Sequence, residues 1–444
     1  MKDSKETNSK KNTLNLPGLT MLGLGGAIGS GIFVASGIAI NQAGPSIILS
    51  FVIGGIISTL IMFMLAEMSV VEPTTGSFSV YAGEYLGPAM GFISGWMYWV
   101  AGILTLATEM VAAALIVRFW LPSWSIWMIS LIIAVLIICI SLLDVRSLAR
   151  VEEILSLIKV GILVVVIIMG VVLFIGLWPG LKSPGISNYF NHEGFFPHGL
   201  SGFFSSLLLV VYTYAGEQVI GPAAGETQDP VKTVPEAVKI INVALIVLYL
   251  GSITTLVGIL PWNRVPLNGS GFVPLFGQLG LISISSIMNA VILSAILSAM
   301  NSNMYGVPRM LKSLAERHDA PAFLNKEDKR GVPVSAVMLS SAFLLCVVGI
   351  SYLLPQQILV YIASSAGVAL ITNWLIIAAT HYRFRRRMNG KTIIAAVLLL
   401  VVLSTSAMNG NQLVGLMVGI IILMLLACLY FLSARQQHFA LRKK

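Results

Sequence analysis

The first apolar segment of the chain contains a run of small residues that reads Gly23-Leu24-Gly25-Gly26-Ala27-Ile28-Gly29-Ser30-Gly31-Ile32-Phe33. Five glycines within nine residues make a poor continuous helix, because each costs up to about 1 kcal/mol relative to alanine. One interpretation is close helix packing, in which Gly25 and Gly29 have the spacing that lets two helices approach. The other is an unwound segment at Gly29-Ser30-Gly31, which a membrane tolerates where backbone lines a cavity or is buried in protein. The density of small residues favours unwinding.

The composition on either side of this segment is that of an integral membrane protein. Of the 444 residues, 57% are hydrophobic and only 10% are charged, against roughly 25% charged in ordinary globular domains. Residues 18–66, 334–382 and 392–434 contain no Lys, Arg, Asp or Glu, and turn residues at 41–45, 355–357 and 409–411 divide them. Each of these runs is long enough for two helices of about 20 residues. A soluble protein is excluded, and the long apolar runs predict an all-α fold and not short alternating strands.

The apolar runs predict twelve transmembrane helices, and the even number puts both termini on the same side of the membrane. The predicted spans are 18–40, 46–70, 91–119, 125–143, 154–177, 200–224, 240–261, 282–310, 334–354, 358–381, 393–408 and 412–433.

Basic residues are distributed very unequally between the two sides of this topology. Of the 27 basic residues, 23 fall on the side of the termini, whereas only Arg118, Lys182 and Arg264 fall on the other side and Lys159 lies within a span. Cytoplasmic loops carry the excess of Lys and Arg, so both termini are predicted to be cytoplasmic. The net charge of +9 then makes anionic membrane lipids the expected partner and not nucleic acid.

Span 6 contains a second interruption, Tyr214-Ala215-Gly216-Glu217-Gln218-Val219-Ile220-Gly221-Pro222. Two broken helices in corresponding positions of two halves are the best sequence indication of a transporter binding site. Spans 1–5 (residues 18–177) and 6–10 (200–382) are therefore predicted to be inverted repeats. Spans 11–12 (393–433) and the tails (1–17 and 434–444) lie outside them. Half-helix N-termini that meet at the midplane can hold a carboxylate.

Three ionisable residues lie within predicted spans and away from the span ends, and each costs at least about 2.5 kcal/mol at the bilayer centre. Glu109 lies in the middle of span 3, Lys159 lies in span 5 and Glu217 lies in the break of span 6. A functional role is the default hypothesis for each. The alternatives are a structural carboxyl bonded to hydroxyls for Glu109 and an interfacial, snorkelling lysine for Lys159.

Catalytic and cofactor motifs are missing from the sequence. There is no nucleotide-binding glycine loop, metalloprotease motif or nucleophile elbow, and the three cysteines do not have metal-ligand spacing. We expect neither an enzyme, a metal site nor a cofactor, and no obligate protein partner is evident.

Several short elements occur in an order and spacing typical of one transporter family. They are the Gly29 to Phe33 element, Pro73-Thr74-Thr75-Gly76-Ser77-Phe78, Ala224-Gly225-Glu226-Thr227-Gln228-Asp229-Pro230, Ser298-Ala299-Met300-Asn301-Ser302 and Arg309-Met310-Leu311. These elements carry a resemblance that covers nearly the whole chain. The chain resembles amino acid permeases of the amino acid–polyamine–organocation superfamily, most closely the bacterial amino acid transporter branch.

The resemblance implies a LeuT-type five-plus-five inverted repeat with helices 1 and 6 unwound, two extra C-terminal helices, and alternating access. It implies that the substrate carboxylate binds the backbone of Ile28, Gly29, Ser30 and Gly31. It assigns the amino group and the side-chain pocket to the segment Tyr214, Ala215, Gly216, Glu217 and Gln218. It also places Glu109, which matches a span 3 glutamate common in this branch, among the substrate-binding residues. It assigns coupling or gating to Lys159, which replaces a sodium ion in relatives, and to Ser298, Asn301 and Ser302.

One position departs from the family pattern. Relatives commonly have Gly-x-Glu in span 6, whereas this chain has Gly216-Glu217-Gln218, so the acid stands one residue earlier. The expected function is import of an amino acid, with neutral favoured over cationic substrates, by proton symport. A sodium-independent exchanger and a non-transporting nutrient receptor are the alternatives.

Overall fold

The computed structural model describes residues 14–441 except 143–144, 179, 268, 280, 282–283, 354–357 and 388. The lysines of the N-terminal tail, the turn predicted at 355–357 and the last three residues lie outside this description. Within it, 82% of the chain is helical. The one pairing of β type is an isolated bridge between Leu14 and Thr227.

The α-helices are numbered in chain order. They are α1 Leu16–Ala27, α2 Ser36–Ala43, α3 Ile47–Val71, α4 Ser77–Leu86, α5 Pro88–Val117, α6 Ile126–Ser141, α7 Val145–Phe174, α8 Ser187–Phe190, α9 Gly199–Thr213, α10 Ile220–Ala223, α11 Pro230–Ile259, α12 Phe272–Gln278, α13 Ser285–Glu316, α14 Val334–Leu353, α15 Ile358–Arg385, α16 Gly390–Ser406 and α17 Gly410–Leu441. A π-helical turn (Gly31–Ala35) and 3-10 turns (Gly44–Ser46, Ala215–Val219, Ala224–Glu226, Trp262–Arg264 and Ala322–Asn325) lie between them.

The lengths and hydropathies of these helices identify a multi-pass membrane protein. Among the described residues, eight helical segments are long and apolar enough to cross a bilayer, and three shorter apolar helices (Ile126–Ser141, Val334–Ile350 and Gly390–Ser406) accompany them. The first segment, Leu16–Val71, has 56 residues and turns back at Gly44, whose φ of 62° suits glycine.

Several helices extend well beyond the spans predicted from the sequence, and α7, for example, begins at Val145, nine residues before the predicted start at 154. Helix α11 begins at Pro230, ten residues before the predicted start at 240, and α17 continues to Leu441, eight residues past 433. The predictions followed the apolar runs, whereas backbone hydrogen bonds continue through polar residues outside the bilayer. Pro230 at the first position of α11 suits a helix start, since its missing N–H would have no partner there.

Burial separates a central group of helices from a peripheral one. In the most apolar stretch of α5, 78% of the residues are buried, against 28% in α7 and 17% in α17. Helix α1 packs against α7, α11, α13 and the 3-10 turn Ala215–Val219, and α5 packs against α13 and α15. The apolar outer faces of α7 and α17 are suited to lipid.

Candidate functional site

The first transmembrane segment is interrupted at the run of small residues. Helix α1 ends at Ala27, Ile28 has non-helical angles (φ −83°, ψ 85°), and the chain resumes through the π-helical turn Gly31–Ala35. A π-turn inside a helix is frequently found at a functional site. The interruption leaves carbonyls at the end of α1 and N–H groups at the start of the second half without helical partners.

The second interruption contacts the first, backbone to backbone. Helix α9 ends at Thr213 and is followed by the 3-10 turn Ala215–Val219. A Cβ on Gly26 would lie 2.5 Å from the carbonyl oxygen of Gly216, and a Cβ on Gly216 would collide with the carbonyl of Gly26. The two interrupted segments therefore cross at glycines, which have no side chains. Close helix packing and helix interruption occur together at this crossing.

Lys159 binds the end of the first half-helix. Its side chain is fully buried, and Nζ donates a hydrogen bond to the carbonyl oxygen of Gly25 at 2.5 Å. One turn earlier on α7, Ser156 donates to the carbonyl of Met21. A cation is favourable at a helix C-terminus, where the partial charge is negative. The buried position of Lys159 excludes the interfacial, snorkelling alternative.

Glu109 of α5 binds the start of the second half-helix. Its Oε2 accepts a hydrogen bond from the Ser30 N–H at 2.9 Å, and a carboxylate is favourable at this positive helix end. A Cβ on Gly29 would lie 2.5 Å from Oε1 of Glu109 and 2.6 Å from Cβ of Ala299 on α13. Glycine at 29 thus lets α5 and α13 approach the break. The alternative prediction for Glu109 was a structural carboxyl bonded to neighbouring hydroxyls. In this contact the donor is instead the backbone N–H of Ser30.

Gly31 is packed against the other broken helix. A Cβ at this position would lie 2.8 Å from Cα of Thr213, the last residue of α9. The steric restriction on residue 31 therefore comes from protein backbone.

Tyr249 of α11 is a buried residue that our sequence reasoning missed. Its hydroxyl donates to the carbonyl oxygen of Ala27 at 2.7 Å and lies 3.2 Å from the carbonyl oxygen of Thr213. One phenol thus reaches the last carbonyl of both half-helices that precede the breaks. The sequence contains no signal for this role, since a tyrosine in an apolar helix is ordinary.

The side chains of Tyr214 and Glu217 bond to α3. The Tyr214 hydroxyl donates to the carbonyl oxygen of Phe51 at 3.0 Å, and Ser58 donates to Oε1 of Glu217. Oε2 of Glu217 and Oε1 of Gln218 are buried without a hydrogen-bond partner among the described residues. Ser58 is a second residue that sequence reasoning missed.

The predicted residues of α13 are buried beside the breaks. Ser298, Asn301 and Ser302 lie on the helix that packs against both α1 and α7. The hydroxyl of Ser302 has no hydrogen-bond partner in the described part of the chain. All fourteen residues predicted for substrate binding, coupling or gating are buried, and the structure gathers them around the two interruptions.

A polar cluster closes the bundle at the end that carries the N-terminus. Glu226 accepts hydrogen bonds from Arg309 Nε at 2.8 Å and from the Tyr305 hydroxyl at 2.7 Å. The Leu14 N–H donates to the carbonyl of Glu226, and the Gln228 N–H donates to the carbonyl of Leu14. These contacts join the chain before α1, the end of the second broken helix and α13.

Two adjoining cavities lie at the opposite end, with volumes of about 580 Å³ and about 610 Å³. They share the lining residues Phe119, Pro266, Val273 and Pro274. None of the fourteen predicted residues lines either cavity. The residues at the crossing of the two breaks are buried in protein, whereas both of these cavities lie towards the end of α5.

Comparisons with known proteins agree with this architecture. A family model described as "Amino acid permease" matches residues 18–440. A γ-aminobutyric acid permease of Bacillus subtilis is 36% identical over 378 residues, which cover 85% of this chain and 81% of that protein. An aromatic amino acid transport protein of Escherichia coli is 37% identical over 369 residues, 83% of this chain and 80% of that protein.

Proposed function

The chain belongs to the amino acid permease family, and we propose on this basis that it is a secondary active transporter that imports an amino acid. Members of this family are transporters and not enzymes. The proposed membrane is the cytoplasmic membrane, and the proposed mechanism is proton symport with alternating access. Within the chain, the carrying observation is the pair of interrupted helices whose ends meet and are bound by Glu109, Lys159 and Tyr249.

The proposed carboxylate site is the Ser30 N–H and its neighbours Ile28, Gly29 and Gly31. The Ser30 N–H is now bound by the carboxylate of Glu109, which is chemically the same group as the substrate's carboxylate. Protonation weakens Glu109 as an acceptor, so an incoming substrate carboxylate can replace it at the helix end. Substrate binding and proton uptake are then linked at one N–H, which supports symport with Glu109 as the proton carrier.

The remaining predicted residues have supporting roles in this proposal. The carbonyls of Tyr214, Ala215 and Gly216 receive the substrate ammonium, and Glu217 with Gln218 sets the shape of the side-chain pocket. Lys159 serves as the fixed charge that makes sodium unnecessary, because its ammonium is already bound to a carbonyl of the first half-helix. Ser298, Asn301 and Ser302 complete this coupling region from α13.

The proposed topology has twelve spans with both termini in the cytoplasm. The spans are α1 with α2, α3, α5, α6, α7, α9 with α10, α11, α13, α14, α15, α16 and α17. The first five form one inverted repeat (18–177) and the next five form the second (200–382), with α16 and α17 outside both. Anionic lipids neutralise the basic cytoplasmic loops.

The proposed substrate is a neutral zwitterion. Lys159 and Glu109 are of opposite charge and are each bound to one half-helix end, so Glu109 is not a free counter-ion for a cationic side chain. The named relatives are permeases for γ-aminobutyric acid and for aromatic amino acids, which are also uncharged overall at neutral pH.

Uptake of labelled amino acids into proteoliposomes tests the function. An inward proton gradient should drive accumulation, and replacing external sodium with choline should have no effect. Uptake that needs internal amino acid and ignores the pH gradient would support the exchanger instead. Binding without uptake would support the nutrient receptor, and sodium-dependent uptake would remove the proposed role of Lys159.

A further inference from the structure

The cavities at the outer end of α5 carry two of the three basic residues that are predicted to face outward. The cavity of about 580 Å³, called the Arg118 cavity, is lined by Arg118, and the adjoining one of about 610 Å³ is lined by Arg264. Neither cavity is lined by Asp or Glu. Both arginines are exposed, and neither side chain has an ion pair or hydrogen bond within the part of the chain that the structure describes. These guanidinium groups are available to an anion.

A buried amide in the same cavity provides a second polar group. Asn289 of α13 lines the Arg118 cavity and is only 3% exposed. Its side chain makes no hydrogen bond to any residue that the structure describes. Because this amide lines the cavity, a ligand or water there can be its hydrogen-bond partner.

Most of the other residues that line the Arg118 cavity are apolar, and Ser270 is a further polar one. The walls are formed mainly by side chains of the end of α5 and of α12, among them Val111, Leu115, Ile116, Phe119 and Val273. A site with one guanidinium, one amide, one hydroxyl and mainly apolar walls matches a small carboxylate that carries an apolar group. Val111, which lines the cavity, is two residues beyond Glu109 in α5, about 3 Å farther along the helix axis.

We propose that this cavity is an outer capture site that binds the carboxylate of an apolar amino acid at Arg118 and Asn289 before transfer to the breaks. This inference rests on the proposed transport function for its role, although binding itself does not require transport. A single exposed cation in a cleft raises the local concentration of an anionic group and the rate of its association. Arg118 should therefore affect apparent substrate affinity and leave the maximal rate unchanged.

Isovalerate is a suitable probe, because it has a carboxylate and a branched apolar group but no ammonium for the central site. Its binding to purified protein in detergent can be measured by saturation-transfer-difference NMR, which needs no transport. Arg118→Ala should weaken binding about two- to fivefold, the effect of one exposed ion pair. Lys182→Ala is the matched control, because Lys182 is the third predicted outward cation and lines neither cavity.

Transport kinetics in intact cells give the second measurement. Arg118→Ala should raise the KM for the transported amino acid by the same factor with an unchanged maximal rate, and added salt should reduce the difference between the two proteins. Because Arg118 is exposed and unpaired, the variant should fold, which its surface expression and melting temperature will check. Equal isovalerate binding by the unmodified protein and both variants, or no binding at all, would overturn the proposal. Isovalerate binding by a protein that transports nothing would leave the capture site standing and refute the proposed function.

Discussion

Replacing Tyr249 with phenylalanine tests whether the two interrupted helices are held together at their ends. The change removes only the hydroxyl that donates to Ala27 and lies within reach of Thr213. The ring and its contacts remain, with ring centroids 5.0 Å from Tyr214 and 6.0 Å from Phe51. Any effect of Tyr249→Phe therefore reports on the hydrogen bond and not on packing.

The expected magnitude follows from the carbonyl that is left behind. Leaving a buried acceptor without a partner costs about 1–3 kcal/mol. If this cost falls on only one of two conformational states, the ratio of their populations changes about 5- to 150-fold. If the bond is present in one end state of the transport cycle and weaker in the other, uptake should fall within this range, and the melting temperature in detergent should fall as well.

A second tyrosine provides the matched control for this experiment. Tyr189 also donates its hydroxyl to a backbone carbonyl, that of Thr254, at 2.9 Å, but it lies on α8, away from both breaks. Tyr189→Phe should leave initial uptake rates within about twofold, which is the effect of an ordinary hydrogen bond of about 0.5 kcal/mol. If Tyr249→Phe and Tyr189→Phe have equal uptake and equal melting temperatures, the hydroxyl does not hold the crossing and the reasoning is wrong.

Three other predictions concern the break, the proton and the topology. Gly31→Val should abolish uptake at normal surface expression, because its side chain would overlap the backbone of α9, whereas Gly161→Val, with no atom within 4 Å of a new Cβ, should remain active. Transport by Gly31→Val at the normal rate would show that the close approach is dispensable. Glu109→Gln should retain exchange in counterflow assays but lose accumulation driven by a pH gradient, and full accumulation would assign the proton elsewhere. A reporter fused at Lys326 should be cytoplasmic and one at Gly269 external, and the reverse at either position would contradict the topology.

Local chemistry explains which features could be predicted from the sequence. The helical class follows from the long apolar runs, and the first interruption follows from the density of glycine, because both depend on residues close together in the chain. The mutual contact of Gly26 and Gly216 was not predicted, since it joins positions 190 residues apart. The glycine spacing in span 1 indicated packing and unwinding as alternatives, and the structure contains both.

Side-chain partners were predicted less well than side-chain locations. Glu217 was expected in the cavity because an acid in a broken helix is costly, but its carboxyl is bonded to Ser58 of α3. Tyr249 and Ser58 are residue types that are common in membrane helices, and only their three-dimensional position identifies them. A hydrogen-bond partner on another helix leaves no local pattern in the sequence.

The contact between Gly26 and Gly216 has a mechanical consequence. Side chains between two helices can change rotamers and so allow the helices to slide, but two touching backbones have no such freedom. If either broken helix tilted alone, the backbone at Gly26 would collide with the backbone at Gly216. In the proposed alternating-access cycle the two broken helices should therefore rotate together as one rigid unit, and the change in packing should occur at the surfaces that this pair shares with α3, α5 and α13.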